Sequence, residues 1–200
     1  MLAYASEATL WTRPLEFMMN MKDSKSVIQW TWDSIDTCRW FAVQLSTVLE
    51  PPITILLQGT LGAGKTQFTK FLAQALGANI DDVTSPTFVL MHRYETTPTV
   101  YHLDAYRVND EDEFLELGVE ELFDEPAITI VEWGDKFRDI LPKDHLAIFI
   151  EVDSELTRSV QIKGTGQRSQ SVIARLVKLQ SDSPKQEPEA LAKENTGEIP

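Results

Sequence analysis

Gly59, four further residues, and then Gly64, Lys65 and Thr66 lay the pattern G-x-x-x-x-G-K-[ST] between an apolar run and an amphipathic stretch. No other feature restricts the fold of this chain so strongly. Glycines permit positive φ and close backbone approach, so successive N–H groups point into one concavity that binds oxyanions. The helix that follows adds unsatisfied N-terminal donors and the positive end of its dipole. Lys65 can neutralise β- and γ-phosphate charge, and the Thr66 hydroxyl can ligate magnesium. The flanks agree: Ile53, Ile55, Leu56 and Leu57 form a β-rich run, and Phe68, Phe71, Leu72, Ala75 and Leu76 share one helical face. The segment predicts strand, phosphate loop and helix, with Lys65 facing solvent until phosphate arrives.

The rest of the chain alternates in the same way. "SVIQWTW" reads as a strand, and Asp33 or Ser34 caps a helix burying Cys38, Phe41, Ala42, Leu45 and Val48. Pro51 and Pro52 stop that helix, and Gly77 marks the end of the next one. "FVLMHRYE" and "TVYHLDAYR" read as strands joined by the turn-prone "TTPT". "EDEFLELGVEELF" predicts one helix, "AITIVEW" a buried strand, and "DKFRDIL" a short helix. "LAIFIEV" and "SVQIKGT" follow as strands, and "QSVIARLVKL" as a last helix. Hairpins beside strand–helix alternation imply an α/β fold: a P-loop NTPase-like mixed β-sheet flanked by helices, in a single domain.

Two hundred residues with 42% hydrophobic content suit one domain with tails. Residues 1–25 read as a flexible extension, 26–180 as the domain, and 181–200, rich in Pro, Glu, Lys and Ser, as a disordered acidic tail. No stretch approaches the ~18 apolar residues of a membrane span. The N-terminus has no basic start leading into an apolar segment, and its acids argue against a transit peptide. The single Cys38 forms no internal disulfide and lies on an apolar helical face, where it reads as a small core residue. These features predict a cytoplasmic protein.

A phosphate loop needs acids to complete a magnesium shell and to orient or deprotonate a water or acceptor. In open α/β sheets such groups sit at the C-terminal ends of strands. Glu132 ends the run "AITIV", and Asp104 lies in "VYHLDAYR", where Val100, His102 and Asp104 share one strand face. A solvated strand-end carboxylate is the alternative for Glu132, and a salt bridge to Arg107 the alternative for Asp104. His102 alone reads as a hydrogen-bonded structural residue, and His92 and His145 show no metal-like spacing. Thr84, Ser85 and Thr87 around Pro86 could sense a γ-phosphate as a switch segment does, or simply turn the chain into the next strand.

"GTLGAGKT", "SPTFVL…Y", "YHLDAYR" and "VEW", in that order, resemble the TsaE family, small P-loop ATPases of bacterial tRNA threonylcarbamoyladenosine synthesis. The resemblance spans about residues 27–176. It implies that Gly59, Thr60, Leu61, Gly62, Ala63, Gly64, Lys65 and Thr66 bind the phosphates of ATP. It further implies that Thr66 and Glu132 hold Mg2+, that Asp104 assists hydrolysis beside Lys65, and that Trp133 lies near the nucleotide. Arg158 in "LTRSV" matches a late basic position near the nucleotide. Thr60 stands where many members carry Asp, and Ala105 where many carry Leu; neither change removes a phosphate or metal ligand.

Charge bears on partners. The net charge is −13, from 31 acidic and 18 basic residues. Nucleic-acid binding rests on Lys and Arg meeting phosphates, so direct tRNA binding is not expected. Nine acids and no base lie between 110 and 125: Asp110, Glu111, Asp112, Glu113, Glu116, Glu120, Glu121, Asp124 and Glu125. They read as the solvated face of a helix or as a docking surface for a basic partner. The resemblance implies TsaB- and TsaD-like partners, with tRNA reached only through the complex and ATP hydrolysis resetting it. The base-reading N-K-x-D and the D-x-x-G switch of GTPases are absent from the sequence, as is the glycine-serine signature of ABC ATPases. A P-loop small-molecule kinase, with Arg107 or Arg138 serving the acceptor, and a nucleotide-sensing adaptor with little turnover are the competing readings.

Overall fold

The apolar run before the phosphate loop is a strand buried on both faces, β2 (Ile53–Gln58), with the loop and then α2 (Lys65–Ala75) directly after it. The computed structural model describes residues 27–181. The extension expected over 1–25 and the tail expected from 181 lie outside the described residues, apart from Ser181, which ends the last helix.

Seven strands form one mixed sheet. Besides β2 they are β1 (Val27–Trp32), β3 (Met91–Tyr94), β4 (Val100–Asp104), β5 (Ile128–Glu132), β6 (His145–Val152) and β7 (Arg158–Gly164). Their order is β1-β7-β6-β2-β5-β4-β3. The central four, β6, β2, β5 and β4, run parallel. Antiparallel pairing is confined to the flanks, β3 on β4, β7 on β6 and β1 on β7. Parallel strands buried on both faces explain why "ITILL" and "ITIV" read as unbroken apolar runs.

Helices cover both faces. On one, Ile55, Leu57, Ile130 and Ile148 pack against Phe41 and Leu45 of α1 (Ile35–Ser46), Phe68 and Leu72 of α2, and Val172 and Leu176 of α5 (Gln167–Ser181). On the other, Leu56, Leu103 and Val131 meet Phe114 of α3 (Glu111–Leu115), Leu122 of α4 (Val119–Asp124) and Phe137. Ser34 caps α1, its hydroxyl accepting from the Thr37 N–H at 3.2 Å, and Cys38, Phe41, Ala42, Leu45 and Val48 are buried as expected. Burial pushes the Cys38 thiol up to about 12, so it is inert packing. Beyond α2 the Gly77 and Ala78 N–H groups bond back to the Gln74 and Ala73 carbonyls, closing the helix. Among the described residues no helix is long and apolar enough to cross a membrane.

Four local expectations are corrected. Ala75 is exposed, and Ala73 takes its place in the buried arc of α2. The helix expected over 111–123 is two short ones, because Gly118 adopts φ +71° between them, a conformation that ends one helix and starts another. The strand expected from Phe88 begins only at Met91: the Leu90 N–H turns back to the Pro86 carbonyl at 2.6 Å, leaving Phe88 and Val89 exposed on the turn. "DKFRDIL" forms a 3-10 turn over Gly134–Phe137, not an α-helix.

Candidate functional site

The parallel strands deliver the site. Register pairs Leu57 with Glu132 and Glu132 with Asp104, so both acids stand at C-terminal strand ends beside the phosphate loop. Gly59 must be glycine: its φ is +145°, and a Cβ there would lie 2.3 Å from the Ile150 carbonyl oxygen. This close approach locks the loop against β6.

Lys65 does not face solvent; it is 4% exposed. Its Nζ donates to the Gly59 carbonyl at 2.9 Å and the Thr60 carbonyl at 3.0 Å, and lies 3.7 Å from the centroid of the Trp133 ring. The ammonium is satisfied by the loop's own carbonyls and an aromatic face. Burial lowers its pKa, against the opposing pull of Glu132, Asp104 and Asp135. Trp133 adopts φ +61°, rare for a bulky residue, and its N–H donates to the Leu57 carbonyl at 3.3 Å. Tyr106 packs on Trp133 at 5.1 Å between ring centroids.

The Thr66 hydroxyl donates to Glu132 Oε2 at 3.1 Å, and Glu132 is itself buried. A hydroxyl and a carboxylate oxygen side by side at a phosphate loop are hard donors of the kind Mg2+ takes, the remaining positions going to water and phosphate oxygens. These two residues therefore fit the ion. Asp104 is held by other groups. Its Oδ2 accepts from the Ser85 and Thr87 hydroxyls, both at 2.8 Å, and its Oδ1 accepts from the Tyr106 N–H at 3.1 Å. The salt bridge to Arg107 is not formed: that guanidinium lies over the Phe88 ring, 4.3 Å from its centroid. The 84–87 segment thus belongs to the site, tied to it through Asp104.

Leu61, Gly62, Lys65, Thr66, Asp104, Glu132 and Trp133 line one recess of about 290 Å³. A second, of about 280 Å³, opens on the other flank of the loop, shares Gly64 and Gln67 with the first, and is walled by Trp32, Ile35, Cys38 and Leu156. Trp32 Nε1 is buried there without a hydrogen-bond partner. Arg158 borders this recess. Its Nε donates to the Ala63 carbonyl at 3.1 Å, and one terminal nitrogen donates to the Ser154, Glu155 and Thr157 carbonyls. It ties the β6–β7 turn to the loop and lies on the side away from Glu132 and Asp104. The sequence reading had not singled out the Trp32 recess, because its walls come from three distant segments and carry no local pattern. A larger hollow of about 840 Å³ lies at the opposite ends of the strands, between Pro52, Asp124 and Arg168, and its Asp144 is already committed to Arg168 and Ser169.

Comparison with known proteins fits this geometry. The family model described as "Threonylcarbamoyl adenosine biosynthesis protein TsaE" matches residues 32–160. A tRNA threonylcarbamoyladenosine biosynthesis protein TsaE from Treponema pallidum is 35% identical over 127 residues, 64% of this chain and 93% of the relative. The protein of that name from Bacillus subtilis is 31% identical over 150 residues, 74% of this chain and 93% of the relative. A crystal structure of Bacillus subtilis YdiB superposes with a TM-score of 0.65 at 25% identity, covering 82% of this chain and 98% of that one.

Proposed function

This chain belongs to the TsaE family of tRNA threonylcarbamoyladenosine biosynthesis, and from that premise we propose that it is the Mg2+-dependent ATPase of the modification machinery. The convergence of Lys65, Thr66, Glu132 and Asp104 in one cleft carries the reading. Loop N–H groups from Gly59 to Thr66 and the start of α2 bind the triphosphate, and Lys65 leaves the Gly59 and Thr60 carbonyls for phosphate oxygens. Thr66 and Glu132 would hold magnesium, which would supply neutralisation of phosphate charge. Asp104, outside the metal pair, orients or deprotonates the attacking water, and Ser85 and Thr87 report γ-phosphate through their bonds to it. The recess beside Trp32, on the other flank of the loop, would take the base.

A TsaB–TsaD-like pair is the proposed partner, with tRNA reached through it in the cytoplasm. Exposed apolar groups border the cleft: Leu61, 77% exposed, and Tyr106 line it, and Phe88, 83% exposed, follows the lining residue Thr87. Such a rim suits a protein partner that closes over the nucleotide. Transfer to a small-molecule acceptor would call on Arg107 or Arg138; Arg107 is stacked on Phe88, and Arg138 is not among the residues lining the cleft. Reconstitution with TsaB- and TsaD-like proteins, tRNA and threonylcarbamoyl-adenylate tests the role. Multiple rounds of modification are expected to need both this protein and hydrolysable ATP. Full multiple turnover with a slowly hydrolysed analogue would leave only the adaptor reading.

A further inference from the structure

Glu132 has two oxygens, and only one of them faces Thr66. The other, Oε1, lies 2.8 Å from Nε2 of His102, a residue of β4 that is fully buried. A carboxylate only accepts, so Nε2 carries the hydrogen. On its far side the imidazole Nδ1 stands 3.4 Å from the Tyr94 hydroxyl, which is also 3.4 Å from the Thr84 carbonyl. Thr84 directly precedes Ser85, whose hydroxyl, with that of Thr87, donates to Asp104.

We propose that His102 is a positioning residue that fixes Glu132 for one-oxygen coordination of magnesium, with the Tyr94 hydroxyl steadying the imidazole from behind. The proposal rests on the reading of Glu132 as a magnesium ligand and deepens it. A buried carboxylate with an unpaired oxygen would turn to find a donor. His102 supplies that donor from the strand next to β5, so Oε1 is taken and Oε2 is left beside Thr66. Groups that hold a ligating side chain from behind typically change metal affinity by about 10–100-fold when removed. The Tyr94 contacts are at the long limit of hydrogen bonding, so their effect is the smaller one. The phenol has a single hydrogen, which Nδ1 and the Thr84 carbonyl compete to accept, so Tyr94 steadies the imidazole only when that hydrogen is turned toward Nδ1.

The test is calorimetric titration of a slowly hydrolysed ATP analogue, with and without Mg2+, at one pH. His102→Leu fills the space without a donor, whereas the amide nitrogen of His102→Gln reaches close to the position of Nε2. The magnesium-conferred gain in affinity is expected to fall about tenfold in His102→Leu and to return most of the way in His102→Gln. Affinity without magnesium should stay unchanged in both, which a merely structural loss would not allow. Should His102→Leu not fold, Tyr94→Phe decides: it keeps the ring, removes the hydroxyl, and is expected to lower the gain about threefold, a smaller loss than removing the donor itself. An undiminished gain in folded His102→Leu, or in Tyr94→Phe standing in for it, overturns the proposal, as does a His102→Gln no better than His102→Leu. Absence of any magnesium gain in the unaltered protein would instead overturn the magnesium reading of Glu132 itself.

Discussion

Asp104 and Glu132 stand opposite each other on neighbouring strands, and different groups hold each of them, as the proposed division of their work requires. Glu132 faces the Thr66 hydroxyl, whereas Asp104 faces two hydroxyls of the 84–87 segment. Asp104→Asn is expected to keep affinity for a slowly hydrolysed ATP analogue while phosphate release falls by ~10²–10⁴, the usual contribution of a proton-handling group. Glu132→Ala should lose the magnesium-dependent part of that affinity. Analogue titrations with and without magnesium, beside phosphate-release assays, separate the two; equal loss of binding in both would end the division. Both acids were legible in the sequence because each closes an apolar run at a strand end. The burial of Lys65 was not, since it depends on the Gly59 and Thr60 carbonyls and on Trp133 across the cleft.

Most helix caps here are local, as Ser34 is for α1, but the cap of α5 comes from elsewhere in the chain. Asp144, just before β6, accepts from the Arg168 and Ser169 N–H groups at 2.8 and 3.0 Å and from the Ser169 hydroxyl at 2.6 Å, so it caps the start of α5. Gly166 makes room for it: a Cβ there would lie 2.4 Å from Asp144 Cγ. Burial pushes the Asp144 carboxyl up, but the bonds from Ser169 and Arg168 outweigh it and hold the group below the usual carboxylate range. Asp144→Ala is therefore expected to cost ~1–2 kcal/mol at neutral pH. A depressed carboxyl stabilises above its unfolded pKa of about 3.9 and loses that contribution as pH falls through the folded value. Urea unfolding should show the difference between variant and unaltered protein narrowing from pH 4 toward pH 2, and a constant difference would refute the cap's charge. Sequence periodicity found strand, loop and helix around Gly59–Thr66 because all three signals are local. It ran 111–123 together because acids and apolar residues keep helical spacing across Gly118, and only the backbone shows the glycine at φ +71°. It overran the start of β3 because Phe88 and Val89 look like strand residues, while the Leu90 to Pro86 turn exposes them.

For the whole molecule, a net charge of −13 and an apolar rim around the cleft combine in one expectation. Among the described residues the 84–87 segment carries no basic side chain, Arg107 is stacked on Phe88, and Arg158 bonds to carbonyls. On the proposed ATPase reading, neither that segment nor these two arginines compensates charge developing on the γ-phosphate, and an arginine supplied by a partner is worth ~10³–10⁵ in rate to P-loop enzymes. Acids such as those from Asp110 to Glu125 would attract a basic partner surface and lose that attraction as salt screens it. Steady-state phosphate release, measured at low and high salt with and without TsaB- and TsaD-like proteins, is the most direct test. The expected result is very slow release by the protein alone and clear stimulation by the pair, weakening as salt rises. Brisk release by the protein alone, unchanged by the pair at either salt concentration, would contradict it.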